Sequence, residues 1–164
     1  MTTPRLAVRT GIGYDSHRFA PGGPLVLGGV RVPSDVHLHG HSDGDAIAHA
    51  VTDAILGAAA LGDIGAMFSD TDAANAGRDS IEMLGLAVSL LHAAGWLVGQ
   101  VDVVVIAETP KISAHRTAMC ARIAGALDVE PSEVSIKGKT NEGMGFIGRG
   151  EGIACLATAT LHSA

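Results

Sequence analysis

Apolar residues along the chain follow two different periods, which predict five strands and three helices. The strands are short runs rich in Val, Ile and Leu, and a turn of two prolines and two glycines at 21–24 separates the first two. The predicted strands span residues 7–12, 25–32, 100–107, 134–137 and 152–161. The run at 100–107 contains a continuous apolar stretch, which indicates a strand in the interior of a sheet.

Amphipathic segments with a helical period predict the helices, at about 43–61, 79–94 and 113–127. The first has Ser42 as its predicted N-cap, with Asp45 three residues further on, which is close to a capping box. Its apolar face consists of Ile47, Ala48, Val51, Ile55 and Ala58. The second helix has Asp79, with Glu82 three residues further on, as its predicted cap, and Gly95 stops it.

The order β-β-α-α-β-α-β-β predicts an α+β fold, a mixed β-sheet with helices packed on one face. Between the first two helices, residues 62–78 are rich in Gly, Asp and Ala and predict a long loop. No linker, repeat or low-complexity tract divides the chain. We therefore expect a single domain over residues 1–164.

Composition excludes several classes of protein and partner. Hydrophobic residues make up 47% of the chain and charged residues 17%, which excludes a disordered chain. The net charge is −6 and Lys and Arg form no run, so no nucleic-acid partner is expected. No apolar run is long enough to span a bilayer, and no secretory signal is visible. Cys120 and Cys155 lack the spacing of a metal or disulfide framework, which is typical of a protein from a reducing compartment. We therefore expect a cytoplasmic protein and, from the short apolar runs, no membrane partner.

The segment Gly-Ile-Gly-Tyr-Asp-Ser-His at 11–17 offers the first candidate for metal chemistry. Asp15 and His17 lie two positions apart, so their side chains share a face if the strand continues through them. A carboxylate and an imidazole aimed together suit a divalent metal. The alternative is a turn in which Asp15 caps backbone amides and His17 is solvated.

A second candidate set recurs at intervals of four residues, at His41, Asp45, His49 and Asp53. On a helix the last three form one stripe, in which His49 stands between two carboxylates among apolar neighbours. Such a histidine is either a structural hydrogen-bonding group or a metal ligand. Together with Asp15 and His17, it favours a metal site with two histidines and one carboxylate, which leaves the fourth tetrahedral position of zinc open.

Three further segments suit the binding of phosphate, sugar or nucleobase. The loop at 61–72 combines glycines with acidic residues, and a strand ends at Pro110 with Lys111 behind it. The segment 137–152 places glycines among Thr, Glu, Lys and Arg, a composition that suits contacts to oxyanions. Gly138, Lys139 and Thr140 do not form a P-loop, because no glycine lies at the required distance before them.

The motifs taken together resemble the 2-C-methyl-D-erythritol 2,4-cyclodiphosphate synthase family of the non-mevalonate isoprenoid pathway. The resemblance runs from Arg9 to Leu161 and rests on six segments in the right order. These are 11–17, 41–45 with His49, 61–65, 68–72, 108–111 and 145–153. It implies a metal-dependent lyase that closes a cyclic diphosphate and expels CMP from 4-diphosphocytidyl-2-C-methyl-D-erythritol 2-phosphate.

The resemblance also implies roles for individual residues. The Zn²⁺ ligands of the family match Asp15, His17 and His49. Glu142 matches the carboxylate that binds a second divalent cation, Mg²⁺ or Mn²⁺. His41 and Thr140 match the catalytic positions that orient phosphate and stabilise the transition state. The remaining substrate-binding positions are Ser42, Asp63, Ile64, Gly65, Phe68, Ser69, Asp70, Thr71, Asp72, Ala107, Glu108, Thr109, Pro110, Lys111, Ile112, Ser113, Lys139 and Asn141.

Family members are homotrimers with active sites between subunits, which would account for the positive mean hydropathy of +0.32. Phe146 and Arg149 match residues of a central cavity that holds isoprenoid diphosphates in some members. Lys139 and Asn141 depart from a common threonine-rich form of their segment. Two competing functions remain, a zinc-dependent phosphohydrolase and a non-enzymatic trimer that binds isoprenoid diphosphates, although the latter would not need Asp15, His17 and His49.

Overall fold

The computed structural model describes residues 7–164, and residues 1–6 of the expected domain lie outside this range. The strands are β1 (Val8–Pro21), β2 (Leu25–Leu27), β3 (Val30–Val32), β4 (Val36–Leu38), β5 (Trp96–Ile106), β6 (Val134–Lys139) and β7 (Gly152–Ser163). The helices are α1 (Ala46–Ala59), α2 (Ile64–Met67), α3 (Ser80–Ala93), α4 (Arg116–Leu127) and α5 (Gly145–Gly148).

The main sheet has five strands in the order β4-β1-β7-β5-β6, and β2 and β3 form a separate hairpin. Only β5 and β6 run parallel; the other neighbours are antiparallel, so the sheet is mixed. As predicted, β5 is an interior strand, between β7 and β6. The helix α1 packs on β1 and β7, α3 on β5 and α4 on β6. The α+β class with helices against the sheet is confirmed.

Strand β1 is much longer than the predicted 7–12, since it pairs with β7 from Val8 as far as Arg18. Its glycines allow α1 to lie directly on the strand backbone. A Cβ built on Gly11 would stand 2.1 Å from the carbonyl oxygen of Ala54. The glycines of this segment therefore mark a close contact between a helix and a strand. Because β1 continues through Asp15 and His17, the alternative of a turn at these residues is wrong.

Two predictions near the start of α1 are wrong: the N-cap at Ser42 and the single strand at 25–32. Its N-cap is Asp45, not Ser42, and the side chain accepts hydrogen bonds from the backbone N–H groups of Ile47 and Ala48. The same buried carboxylate accepts N–H bonds from Gly28, at 2.8 Å, and Gly29, at 2.6 Å. Both glycines have positive φ, which turns the predicted single strand at 25–32 into the hairpin of β2 and β3.

The later helices follow the sequence more closely. Asp79 caps α3 as predicted, and Gly95, with φ +81°, follows its end. Helix α4 begins three residues later than predicted, because a 3-10 turn occupies Ile112–Ala114. The predicted loop at 62–78 contains α2 and a 3-10 turn at Ala73–Asn75.

The core fills the space between the helices and one face of the sheet, mainly with Ala, Val, Ile and Leu. The opposite face leaves large apolar side chains in solvent: Ile12 is 65% exposed and Tyr14 is 56% exposed. Cys155 is buried and Cys120 half-buried, and both are free thiols. Across residues 7–164, none of the helices combines the length and the apolar character that crossing a membrane would require.

Candidate metal centre and substrate clefts

Three side chains from two elements converge at the second half of β1. Asp15 Oδ2 lies 2.8 Å from His17 Nε2 and 3.1 Å from His49 Nδ1. The two imidazole nitrogens are 3.2 Å apart. All three side chains are largely buried, with exposures of 23% for Asp15, 15% for His17 and 12% for His49. The strand supplies two of these groups and α1 the third, so the group forms only when helix and strand are packed.

The other nitrogen of each imidazole also has a partner. His17 Nδ1 lies 2.7 Å from the carbonyl oxygen of His39, to which it donates in the tautomer that leaves a lone pair on Nε2. His49 Nε2 lies 3.0 Å from Ser42 Oγ and 2.9 Å from Ser80 Oγ. Histidines that bind metals have such partners on the far nitrogen. The donor set and its surroundings therefore fit a divalent metal.

Charge within the group favours an ionised carboxylate. Burial opposes ionisation of Asp15, but hydrogen bonds from His17 and His49 and their charges outweigh it and lower its pKa to about 2. Burial also opposes protonation of His17, yet the hydrogen bond and charge of Asp15 raise the pKa of that imidazole. A carboxylate that stays ionised over the whole physiological range is a ready metal ligand.

The carboxylates of Asp45 and Asp53 do not hydrogen-bond to His49, although the predicted stripe suggested that they hold its imidazole. Asp45 is the fully buried cap of α1, and burial raises its pKa against the opposing effect of its backbone hydrogen bonds. Asp53 Oδ1 accepts the N–H of Ile64 at 2.7 Å, which fixes the start of α2. The groups bonded to the far side of His49 are the hydroxyls of Ser42 and Ser80.

A cleft, here called the first cleft, opens beside the converging ligands. Most of its walls come from residues predicted to bind metal or substrate. The predicted residues that line it are Asp15, His17, His41, Ser42, His49, Ile64, Gly65, Phe68 and Asp70. Asn75 and Met83 also line it but were not predicted, because nothing in the sequence near them carries a motif.

Other residues predicted for this region have local structural contacts. Asp63 accepts the N–H of Ala66 and thereby caps α2. Asp72 accepts the N–H of Ala74 at the start of the 3-10 turn. Ser69 and Thr71 bond to each other through their hydroxyls, at 2.7 Å. These four residues shape the loop beside the first cleft but do not line it.

A second cleft lies where β5 and β6 end. Its lining includes the predicted residues Ala107, Glu108, Pro110, Lys111, Ile112, Ser113, Lys139 and Thr140, together with Arg116 and Gly138, which were not predicted to bind substrate. Thr109 follows Glu108 in the same turn but does not line the cleft. Glu108 Oε1 accepts the N–H groups of Asn141 and Gly143 and so holds the next segment in place.

Glu142 lies with the second cleft and not with the metal ligands. Its Oε1 accepts the hydroxyl of Thr140 at 2.8 Å. In the sheet, Ser16, Ala154, Ile106 and Lys139 form one row across four neighbouring strands. Three interstrand spacings separate the ends of this row, or about 14 Å. The structure therefore keeps His41 and Thr140, the two predicted catalytic residues, in different clefts of one chain.

The residues predicted for a central cavity belong to α5 and the turn after it. Phe146 lines a third pocket together with Ser16, His17, Arg18 and Glu151. Arg149 is exposed, and its Nε donates to Glu151 Oε1 at 2.6 Å. Within one chain, the two predicted residues do not meet in a closed cavity.

Comparison with known proteins adds to this geometry. The YgbB family model matches residues 8–162. The 2-C-methyl-D-erythritol 2,4-cyclodiphosphate synthase of Gemmatimonas aurantiaca is 65% identical over 156 residues, which cover 95% of this chain and 94% of the relative.

Two solved structures are also similar. One is the bifunctional IspDF of Campylobacter jejuni, with a TM-score of 0.94 and 40% identity; the match covers 98% of this chain but only 44% of that longer chain. The other is a CDP complex of IspF from Plasmodium falciparum, with a TM-score of 0.83, 37% identity, and 95% and 96% of the two chains covered. Matches of this extent and identity mean that the chain belongs to the YgbB family, the family of the 2-C-methyl-D-erythritol 2,4-cyclodiphosphate synthases.

Proposed function

We propose that this chain catalyses the cyclisation of 4-diphosphocytidyl-2-C-methyl-D-erythritol 2-phosphate to 2-C-methyl-D-erythritol 2,4-cyclodiphosphate, a step in isoprenoid precursor synthesis. An oxygen of the 2-phosphate forms a bond to the β-phosphorus, and the bond from that phosphorus to the bridging oxygen breaks. The electron pair leaves with CMP. The observation that carries this proposal is the convergence of Asp15, His17 and His49 beside a cleft that a small polar ligand can enter.

Asp15 Oδ2, His17 Nε2 and His49 Nδ1 would hold Zn²⁺, because these atoms face one another and the remaining imidazole nitrogens have other partners. When bound, the ion supplies a Lewis acid that polarises a phosphoryl oxygen. Glu142 would bind the second cation, Mg²⁺ or Mn²⁺, with the substrate diphosphate. Hard oxygen ligands of this type suit both ions.

The protein's own groups then have positioning roles. His41 and Ser42, which line the first cleft, would orient the phosphates and the erythritol chain together with the backbone of α2. Thr140 would stabilise charge on the phosphates from the second cleft. Phosphoryl transfer depends mainly on such positioning and charge neutralisation, so the reaction requires no protein nucleophile.

The second cleft would take the cytidine diphosphate portion. Backbone groups from 107–113 lie at its wall, and Lys111, Lys139 and Arg116 bring positive charge to it. The similar Plasmodium falciparum protein forms a complex with CDP. The chemistry of the cleft, a turn of the chain beside three cations, supports the same class of ligand here.

A homotrimer would complete the active site. Residues Ile12 and Tyr14 leave an apolar face of the sheet in solvent, which is typical of a surface that another subunit covers. The two clefts of one chain share no lining residue. A neighbouring subunit that brings its second cleft to the first cleft would join the metal ligands to the cytidine site.

Two further elements of the proposal concern ligands and location. Phe146 and Arg149 would line a cavity on the trimer axis that accepts an isoprenoid diphosphate, with the Arg149 guanidinium as the anion partner. We place the enzyme in the cytoplasm, where its phosphorylated substrate would be made.

Product analysis tests the proposed reaction directly. The purified protein with Zn²⁺ and Mg²⁺ is incubated with the substrate, and the phosphorus NMR spectrum and mass of the products are recorded. We expect CMP and a cyclic diphosphate in equal amounts. CMP with an open-chain product would identify a phosphohydrolase instead. No turnover would contradict both activities and favour a binding protein.

A further inference from the structure

The hydroxyl of Ser80 is fully buried at the first residue of α3, at the back of the metal centre. It lies 2.9 Å from His49 Nε2, on the side of the imidazole away from Asp15. The same hydroxyl donates a hydrogen bond to Asp43 Oδ1. Ser80 thus connects a carboxylate to the imidazole through one oxygen atom, and a buried hydroxyl needs such partners.

The direction of these hydrogen bonds follows from the role of His49. If Nδ1 offers its lone pair toward Asp15 and a metal, the ring proton must be on Nε2. Nε2–H then donates to Ser80 Oγ, with Ser42 Oγ as a second acceptor at 3.0 Å, and Ser80 O–H donates to Asp43. The chain runs in one direction, from imidazole to hydroxyl to carboxylate, and each donor has an acceptor.

Asp43 is itself held firmly. Its Oδ2 accepts the backbone N–H of Ser80 at 3.1 Å, and its own backbone N–H donates to the carbonyl oxygen of Arg78. Both carboxylate oxygens therefore bond to Ser80, one through the backbone and one through the side chain. Removing the hydroxyl leaves the backbone bond that joins α3 to the segment before α1.

We propose that Asp43 and Ser80 are positioning residues for the metal ligand His49. The carboxylate-hydroxyl-imidazole chain holds the proton of His49 on Nε2, orients the ring and makes Nδ1 a stronger donor. In many metal sites a carboxylate accepts a hydrogen bond directly from the metal-bound histidine. Here the hydroxyl of Ser80 stands between the carboxylate of Asp43 and the imidazole and serves the same purpose. The inference rests on the proposed metal role of His49 and adds two residues to that site.

Zinc affinity in variants of the purified protein provides the first test. Affinity is measured by competition with a chromophoric chelator for the unmodified protein, Ser80→Ala, Asp43→Asn and Asp79→Ala. We expect a loss of about 10- to 100-fold in Ser80→Ala, the range found for second-layer partners of metal-bound histidines. Asp43→Asn should lose less, because the amide oxygen can still accept from Ser80.

Asp79→Ala is the matched control, since Asp79 caps the same helix end through the N–H groups of Ile81 and Glu82. It should lower the melting temperature without changing zinc affinity. If Ser80→Ala merely disturbs α3, both variants will lose affinity in proportion to stability, and the proposal is wrong.

A second readout reports on the hydrogen bond itself. In the zinc-loaded protein, the His49 Nε2 proton should give a downfield NMR signal that exchanges slowly with water. In Ser80→Ala it should move upfield and exchange faster, and in Asp79→Ala it should stay unchanged. Unaltered affinity and an unaltered proton signal in Ser80→Ala would overturn the inference. Failure of the unmodified protein to bind zinc would instead contradict the proposed function.

Discussion

A Cβ atom built on Gly13 would lie 1.9 Å from the carbonyl oxygen of Ala50. Real side chains never approach a backbone oxygen so closely, so α1 and β1 can pack at this distance only because position 13 has no side chain. Asp15 follows two residues later on β1 and His49 precedes Ala50 on α1. The close contact of the two backbones therefore sets the distance between two of the proposed metal ligands.

Gly13→Ala should lower the free energy of unfolding by about 3 kcal/mol or more, because the added methyl group pushes α1 away from β1. Urea denaturation measures the change. Gly85→Ala in α3 is the control, since a Cβ there meets no atom within 4 Å. Alanine favours a helix over glycine, so this variant should gain about 0.5–1 kcal/mol. Equal effects of the two substitutions would exclude the packing argument.

His49→Ala should remove one of three protein ligands and reduce both zinc content and cyclisation about 100-fold or more. The fold should persist, with a melting temperature within about 5 °C of the unmodified protein. Elemental analysis and a thermal melt on the same sample check both statements. His92→Ala, at an exposed position near the end of α3, should retain zinc. A His49→Ala protein with full zinc occupancy would contradict the ligand role.

Asp45→Asn should destabilise the protein by about 2–4 kcal/mol, because a buried carboxylate that accepts four N–H groups becomes an amide with a single acceptor oxygen. The amide also directs its own N–H donors at these groups. Asp79→Asn, an exposed cap with two N–H partners, should cost about 1 kcal/mol or less. Denaturation curves of the two variants give the comparison, and similar losses would argue against a special role for Asp45.

Light scattering should give a mass of about three times the 16.6 kDa of one chain. Ile12→Glu should shift the protein toward monomers, because it puts a charge in the exposed apolar sheet face. Leu90→Glu, at an exposed position on α3, should leave the mass unchanged. A monomeric unmodified protein at micromolar concentration would refute the trimer and, with it, the active site shared between subunits.

Arg149→Ala should weaken the binding of an isoprenoid diphosphate, because the guanidinium group can contact a phosphate through two parallel N–H donors. Titration calorimetry should show an affinity at least about 10-fold lower, while zinc content stays the same. Equal affinity in the two proteins would remove Arg149 from the proposed cavity.

The fold class was predictable because hydrophobic periods carry most of the information about helices and strands. The sequence did not predict the length of β1: the strand was expected to end at residue 12, and its continuation through Asp15 and His17 was left open. A glycine such as Gly13 weakens a strand pattern when the helix packed on it is unknown. The N-cap of α1 was misassigned for a related reason. Ser42 and Asp45 both suit a cap, and only the distant N–H groups of Gly28 and Gly29 favour Asp45.

For the candidate site, the sequence motifs placed the converging trio correctly in space but not its surroundings. Spacing along a helix suggested Asp45 and Asp53 as neighbours of His49, whereas Ser80 comes from 31 residues away in the sequence. Contacts between distant segments leave no local pattern. Arg116 and Met83, which line the clefts, were not predicted for the same reason: their positions depend on how the helices pack.

The helix caps have a consequence for the electric field around the clefts. The carboxylates of Asp45, Asp63, Asp72 and Asp79 each point at backbone N–H groups at the start of a helix or turn. Their negative charge is thus partly balanced by peptide dipoles within the first turn. Lys111, Lys139 and Arg116 gather at the second cleft. A chain with a net charge of −6 can therefore still present a positive site to an anion, because peptide dipoles partly balance these four acids while three cations are concentrated at the second cleft.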